Sequence, residues 1–213
     1  MGEVMTREEK LIEKYEVMSA FEKECAAEGK ALCCGIDEAG RGPLAGPVVA
    51  AACILDPDVP IYGLDDSKKL SPKKRDALYD EITKKAKAFC VIRVEPEEID
   101  RINILEATKN AMRAAVKGLS VKPDVLLIDA VNLTGTGIPV KPIIKGDAKS
   151  NSIAAASILA KVSRDRIMEE YDKEYPGYGF AQHKGYGTAA HYAAIHELGI
   201  SPIHRMSFLK KMH

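Results

Sequence analysis

Hydrophobic and polar positions fall into short blocks along the chain, and these blocks predict both strands and helices. The runs 31–37, 48–55 and 125–128 are almost continuously apolar and contain β-branched residues, which predicts strands buried on at least one face. Shorter apolar runs predict two more strands at 89–94 and 140–144. Helical spacing or helix-start signals predict helices at 71–86, from Pro96, at 104–119, 150–171 and about 188–198. Paired strands followed by alternating strands and helices predict an α/β fold with a mixed sheet.

The N-terminal segment has the pattern of one amphipathic helix. Thr6 and Glu9 have the spacing of a capping box, an apolar series with helical spacing follows, and Gly29 ends it. We therefore expect an N-terminal amphipathic helix over residues 1–30 and a single α/β domain over residues 31–213.

Composition is that of an ordinary globular protein. The 213 residues are 46% hydrophobic and 29% charged, with a net charge of zero. The longest apolar runs are far too short to cross a bilayer, and residues 1–9 lack the basic and apolar regions of a signal peptide. Five cysteines without a Cys-x-x-Cys spacing are typical of reduced thiols. We expect a cytoplasmic protein with no membrane partner.

Four carboxylates occupy positions where predicted strands end. Asp37 ends one strand and Glu38 comes directly after it, Asp129 ends another, and Asp147 comes a few residues after the strand at 140–144. Adjacent carboxylates at the mouth of an apolar strand repel each other, a conflict that bound cations relieve. Oxygen ligands without Cys or His favour Mg²⁺ or Mn²⁺ over zinc. Four carboxylates exceed what one Mg²⁺ usually takes from protein, so we expect two divalent ions about 4 Å apart.

A glycine-rich turn follows the first acid pair. Gly40 and Gly42 carry no Cβ, so their backbone can approach a ligand closely. The spacing Gly-x-Gly-x-x-x-Gly and the strand that follows at 48–55 do not fit a dinucleotide-binding loop, which needs a helix there. The C-terminal part from Lys141 has eleven Lys or Arg against seven Asp or Glu, a distribution suited to drawing a polyanion towards the acids.

These residues resemble the bacterial ribonuclease HII family, of the type 2 ribonucleases H. The similarity spans residues 35–205 in family order. It is carried by Gly35-Ile-Asp-Glu-Ala-Gly-Arg-Gly-Pro-Leu-Ala-Gly46, Asp66-Ser-Lys-Lys-Leu-Ser71, Leu127-Ile-Asp129, Lys145-Gly-Asp-Ala-Lys-Ser150, Ala154-Ala-Ala-Ser-Ile-Leu-Ala-Lys-Val-Ser-Arg-Asp-Arg166, His183-Lys-Gly-Tyr-Gly-Thr188 and Pro202-Ile-His-Arg205. The resemblance implies a ribonuclease H-like fold, with a mixed five-stranded sheet flanked by helices, for the catalytic domain 31–213. It implies hydrolysis of the RNA strand of RNA–DNA hybrids and cutting on the 5′ side of ribonucleotides embedded in duplex DNA, leaving 3′-hydroxyl and 5′-phosphate ends.

The resemblance also implies residue roles. The four acids Asp37, Glu38, Asp129 and Asp147 would be the catalytic, metal-binding residues. The turn Gly40, Arg41 and Gly42 would recognise the ribose 2′-hydroxyl, and Tyr186 would pack on the deoxyribose of the next nucleotide. Phosphate contacts are implied for Ser67, Lys68, Lys145, Lys149 and Lys184.

Several alternatives stay open at this stage. The choice between Mg²⁺ and Mn²⁺ is not fixed, and a monomer is expected. A catalytically idle hybrid-binding module would lack one of the acids, whereas all four are present. Another nuclease of the same fold, without activity on single ribonucleotides, would lack the Gly-Arg-Gly turn and Tyr186. For His183 and His204 we favour a structural or phosphate-contact role over proton transfer.

Overall fold

One mixed sheet of five strands organises the protein. The computed structural model describes residues 5–129 and 131–209. The sheet has the order β3-β2-β1-β4-β5, in which β1 pairs antiparallel with β2 and parallel with β4. The pairs β2–β3 and β4–β5 are antiparallel and parallel respectively. The strands are β1 Cys33–Ala39, β2 Val48–Ile54, β3 Ala88–Val94, β4 Val125–Asp129 and β5 Val140–Ile143. The predicted α/β class with a mixed five-stranded sheet is confirmed.

Nine helices in the described residues flank or extend this sheet. They are α1 Arg7–Met18, α2 Ala20–Ala27, α3 Pro72–Lys85, α4 Pro96–Ile102, α5 Ile104–Lys117, α6 Asn151–Glu174, α7 Phe180–His183, α8 Ala189–Leu198 and α9 Met206–Leu209. A 3₁₀ turn, Gly146–Ala148, precedes α6. No helix in the part of the chain that is described combines the length and apolar character needed to cross a membrane.

Two predicted details are wrong. The N-terminal amphipathic segment forms two helices, because the backbone departs from helical geometry at Ser19, whose hydroxyl donates to the Tyr15 carbonyl and accepts from the Asn151 amide. Strand β1 does not end at Asp37 but continues to Ala39, since its antiparallel pairing with β2 extends to Val49. The short helices α7 and α9 were not predicted, because four residues are too few to show a helical period.

The sheet is buried on both faces. On one face, Val49, Ala51 and Cys53 of β2 pack against the alanine-rich segment of α6. On the other face, Ala50 and Ala52 pack against α5. Burial on both sides is the reason that β2 is a continuous apolar run rather than an alternating one.

Helix α6 packs backbone to backbone against β1 at Gly35. A Cβ at Gly35 would lie 2.0 Å from the carbonyl carbon of Ser152, so the helix backbone rests directly on the strand. Because the obstacle is backbone, a side chain there cannot be accommodated by a rotamer change. Gly35 therefore fixes the distance between α6 and the sheet.

We predict that Gly35→Ala lowers the free energy of unfolding by about 3 kcal/mol or more, because α6 must be displaced from the sheet. Urea denaturation monitored by circular dichroism measures it. The matched control is Gly42→Ala, where the nearest atom to a new Cβ is 3.7 Å away and φ is not positive, so stability should stay unchanged. Equal stability of the two variants would contradict the close packing.

Candidate active site

The four predicted acids line one cavity at the edge of the sheet. The cavity has a volume of about 310 Å³ and is bordered by Asp37, Glu38, Asp129 and Asp147. Asp129 ends β4, which runs parallel to β1, while Asp147 lies in the 3₁₀ turn after β5. The parallel strands thus bring the acids to one edge, as their positions in the sequence predicted. Their role as metal ligands stays a prediction.

Burial disfavours the ionised forms of Asp37 and Glu38. The pKa of Asp37 is raised well above its usual value, first by burial and then by the charge of Glu38. Hydrogen bonds from the Ser157 hydroxyl and from the Glu38 N–H, at 2.8 Å, oppose that shift. Burial also raises the pKa of Glu38, although the Arg41 guanidinium 3.4 Å away acts against it.

A fifth acid, Asp66, belongs to the same electrostatic cluster and was missed in the sequence. Burial raises the pKa of Asp147, and the charge of Asp66 is the next largest cause. Asp66 lies in a motif that carries the family resemblance, but the sequence predicts no role for it, because only the folded chain brings the loop of Asp66 close to the 3₁₀ turn. Lys68 in the same loop lowers the pKa of Asp147.

The cluster suits a hard divalent cation by its chemistry. Its donors are carboxylate oxygens, partly desolvated, with more negative charge than the nearby cations neutralise. Within residues 5–129 and 131–209, no three Asp, Glu, His or Cys side chains are close enough to hold an ion as they stand. A divalent cation bound among these carboxylates would offset their mutual repulsion.

Two buried arginines form hydrogen bonds with the backbone of the turn after β1. Arg205 donates to the carbonyls of Gly40, Arg41 and Gly46 at 2.6, 3.0 and 2.8 Å. Arg164 donates to other carbonyls of the same loop and lines the cavity. The sequence predicted no role for either arginine, although both lie in the motifs that carry the family resemblance.

The structure requires glycine at position 40 of the turn but not at position 42. Gly40 has φ +94°, and a Cβ there would lie 2.0 Å from Nε of Arg164, so the fold itself requires glycine. Gly42 is exposed, has no positive φ and leaves 3.7 Å to the ring of Tyr186. Nothing in the packing requires glycine at Gly42, which leaves open backbone beside the acids.

Three other predicted residues meet this turn in the same cavity. Tyr186 is 46% exposed and borders the cavity. Lys68 is exposed at the rim, whereas Ser67 is buried and its hydroxyl is hydrogen-bonded with that of Ser157 at 2.9 Å. Lys161, which the sequence did not single out, also borders the cavity and pairs with Asp165 at 2.7 Å.

The remaining predicted lysines lie elsewhere. Lys145 and Lys149 are exposed on either side of the 3₁₀ turn but do not border the cavity. Lys184 points into a neighbouring cleft and forms an ion pair with Glu169 at 2.7 Å. Its direct role as a phosphate contact would require that this pair first separates.

The histidines form an interior cluster beyond the cavity. His204 is buried, and its Nε2 lies 3.0 Å from Nε2 of His191. Burial lowers the pKa of His204, and it lowers that of His191 to about 4, so both are neutral at pH 7. His183 stacks on His191 and contacts the Tyr178 carbonyl. These contacts support the structural interpretation of His183 and His204.

A mixed sheet of this order, covered by helices and carrying carboxylates at the carboxyl end of its parallel strands, defines a nuclease of the ribonuclease H-like class. Comparison with known proteins gives the particular family. The sequence model described as Ribonuclease HII matches residues 34–211. The chain therefore belongs to the ribonuclease HII family.

Individual relatives agree with this placement. The chain is 57% identical to Ribonuclease HII of Acetivibrio thermocellus, over 95% of this chain and 79% of the relative. It is 54% identical to Ribonuclease HII of Clostridioides difficile, over 94% and 78%. The crystal structure of ribonuclease H2 from Pyrococcus horikoshii superposes with a TM-score of 0.69 and 29% identity, covering 82% of this chain and 92% of that one. The protein is thus an endonuclease acting on RNA–DNA hybrids, of a family that depends on divalent metal.

We predict that Asp37→Asn makes the metal-free protein more heat-stable, because it removes a buried charge that repels Glu38. The pKa of Asp37 is higher in the folded than in the unfolded chain, so the stability of the parent protein should fall as pH rises above the ordinary carboxyl range. The variant should lose part of this slope. Relief of each kcal/mol should raise Tm by about 2–4 °C for a domain of this size.

Thermal denaturation in chelator across pH 4–8 measures both effects, and we expect the variant's Tm to exceed that of the parent by about 3 °C near pH 8. The control is Asp58→Asn, since Asp58 is an exposed loop residue. A variant that is less stable than the parent at every pH would show that Asp37 does not suffer repulsion in the folded protein.

Proposed function

We propose that this protein cuts duplex DNA on the 5′ side of a single embedded ribonucleotide, as well as the RNA strand of hybrids, and leaves 3′-hydroxyl and 5′-phosphate ends. The observation that carries the proposal is the cavity itself. It joins four carboxylates, an open glycine turn and an exposed tyrosine within one site. One ribonucleotide flanked by DNA would meet each of these elements.

The acids Asp37, Glu38, Asp129 and Asp147 would hold two divalent ions, Mg²⁺ or Mn²⁺. When bound, such ions supply positive charge that stabilises both the attacking and the leaving oxygen in phosphodiester hydrolysis. The protein's own contribution is to position the carboxylates. The Glu38 N–H donates to Asp37 at 2.8 Å, and the Gly146 N–H donates to Asp129 at 3.1 Å, which helps to fix two of the four carboxyl groups.

Recognition of ribose would come from the turn Gly40, Arg41 and Gly42. A site built to hydrogen-bond a hydroxyl rejects deoxyribose, because its own polar groups would be left unpaired. Tyr186 would pack on the following deoxyribose, where a 2′-hydroxyl would crowd the ring. The two elements together favour a junction from RNA to DNA.

Phosphates would be bound by the cations around the cavity. The lysines that border the cavity are Lys68 and Lys161, and Ser67 supports the loop that carries Lys68. Lys145 and Lys149 flank the turn of Asp147 and can reach phosphates further along the strand. Such contacts attract any backbone and carry no sequence information.

A duplex DNA with one central ribonucleotide tests the function. In Mg²⁺ or Mn²⁺ we expect one cut on the 5′ side of the ribonucleotide, with 3′-hydroxyl and 5′-phosphate products identified by mass spectrometry. An all-DNA duplex and a continuous hybrid are the controls. Cleavage of the hybrid alone would favour a hybrid-cutting relative without single-ribonucleotide activity, and a 2′,3′-cyclic phosphate would mean that the ribose itself attacked.

Gly42→Ala tests the role of the turn. Because the new methyl group meets no protein atom closer than 3.7 Å, the variant should keep its fold and Tm. It should cover the backbone that meets the ribose and lower kcat/KM on the single-ribonucleotide duplex about a hundredfold. Steady-state kinetics beside thermal denaturation measures this. Unchanged kinetics would show that the ribose is read elsewhere.

A further inference from the structure

Arg164 and Arg205 lie beneath the turn as two buried cations that are 1% and 0% exposed. Their observed hydrogen bonds all go to backbone carbonyls, and in residues 5–129 and 131–209 neither forms a salt bridge with an acid. Burying a guanidinium without a carboxylate costs free energy. Such an arrangement is expected where the backbone it holds has to keep one conformation for function.

Arg205 joins the two ends of the turn by hydrogen bonds. Its guanidinium binds the carbonyls of Gly40 and Arg41 at one end and of Gly46 at the other. A single planar group therefore sets the separation of the two ends. Because this planar fork has fixed donor directions, it also sets the orientation of the peptide groups that it binds.

The orientation of those peptide groups has a direct effect on the cavity side. In a trans peptide the C=O and the following N–H point in opposite directions. With the carbonyls of Gly40 and Arg41 directed at Arg205, the N–H groups of Arg41 and Gly42 point away from it. Neither N–H donates to another group among the described residues. Two free amide donors are thus presented on the open side of the turn.

Arg164 connects the turn to the segment that carries Tyr186. It donates to the carbonyls of Ala45 and Pro47 at 3.1 and 2.9 Å, and to the carbonyl of Lys184 at 2.9 Å. The Leu44 N–H also donates to the Gly185 carbonyl at 2.8 Å, which adds a direct link between the two segments. The distance from the turn to Tyr186 therefore depends on Arg164.

We propose that Arg164 and Arg205 form a backbone clamp that sets substrate specificity without contacting the nucleic acid. Arg205 orients the two amides that recognise the 2′-hydroxyl, and Arg164 sets the spacing between that recognition point and Tyr186. The two positioning residues thus control ribose recognition and junction recognition separately. This inference rests on the proposed function.

The test uses Arg205→Lys and Arg164→Lys, which keep the charge and lose the planar fork. Two ratios of kcat/KM are measured. The ribose ratio compares a single ribonucleotide with its 2′-fluoro analogue at the same position, and the junction ratio compares a single ribonucleotide in DNA with a continuous hybrid. Arg113→Lys is the control, because Arg113 also donates to a backbone carbonyl, that of Thr134, and borders a different pocket from the acids.

We expect Arg205→Lys to lower the ribose ratio about tenfold, the effect of one hydrogen bond, with the junction ratio near that of the parent. Arg164→Lys should lower the junction ratio and leave the ribose ratio near that of the parent. Arg113→Lys should change neither. Circular dichroism and thermal denaturation monitor folding of all three variants.

Distinct results bear on the clamp and on the proposed function. If the parent protein does not cut the single-ribonucleotide duplex, the proposed function fails and the clamp fails with it. If the parent cuts but both Lys variants keep both ratios, only the clamp is overturned. It is also overturned if both variants change the two ratios together, or if both lose the folded state, because the arginines would then support the whole domain rather than the turn.

Discussion

The close contact between α6 and β1 at Gly35 is the constraint on which the site depends. Because helix backbone rests on strand backbone there, α6 has one position relative to Asp37. Ser157, Lys161 and Arg164 are spaced by four and three residues on α6, so they share one face. On that face, Ser157 hydrogen-bonds to Asp37, Lys161 places a cation in the cavity, and Arg164 binds backbone carbonyls of the turn.

The same helix is fixed at its beginning by the N-terminal helices. Glu22 of α2 accepts hydrogen bonds from the Ser150 hydroxyl at 2.6 Å and from the Ser152 N–H at 3.0 Å. Asn151 donates to the Tyr15 carbonyl and to Ser19. The start of α6, directly after the turn of Asp147, is therefore held by residues from the first 30. The N-terminal helices contribute to the placement of an acid that they do not contact.

Charge around the cavity is distributed unevenly, and the reason is geometric. The two buried arginines direct their donors at backbone carbonyls, whereas the other cations that border the cavity in the described part of the chain are Arg41, Lys68 and Lys161, which is paired with Asp165. Burial raises the pKa of Asp37, Glu38 and Asp147, and each of these carboxylates adds negative charge to the cavity when it ionises. This arrangement is unfavourable in the metal-free protein and favourable for binding divalent cations, which in turn attract a phosphate backbone.

The sequence alone determined the strands, most helices and the convergence of Asp37, Glu38, Asp129 and Asp147, because local apolar patterns define strands and parallel strands end at one edge of a sheet. It did not distinguish Lys68, at the cavity, from Lys184, which is paired with Glu169, nor did it reveal the role of Asp66. The contacts of Arg205 with Gly46 join residues 159 positions apart. No local pattern contains such a contact, since it exists only when the segment before α9, where His204 bridges to Ala45, packs against the turn. Tertiary packing alone therefore decided that Gly40 is required by the fold, whereas Gly42 is left open to a ligand.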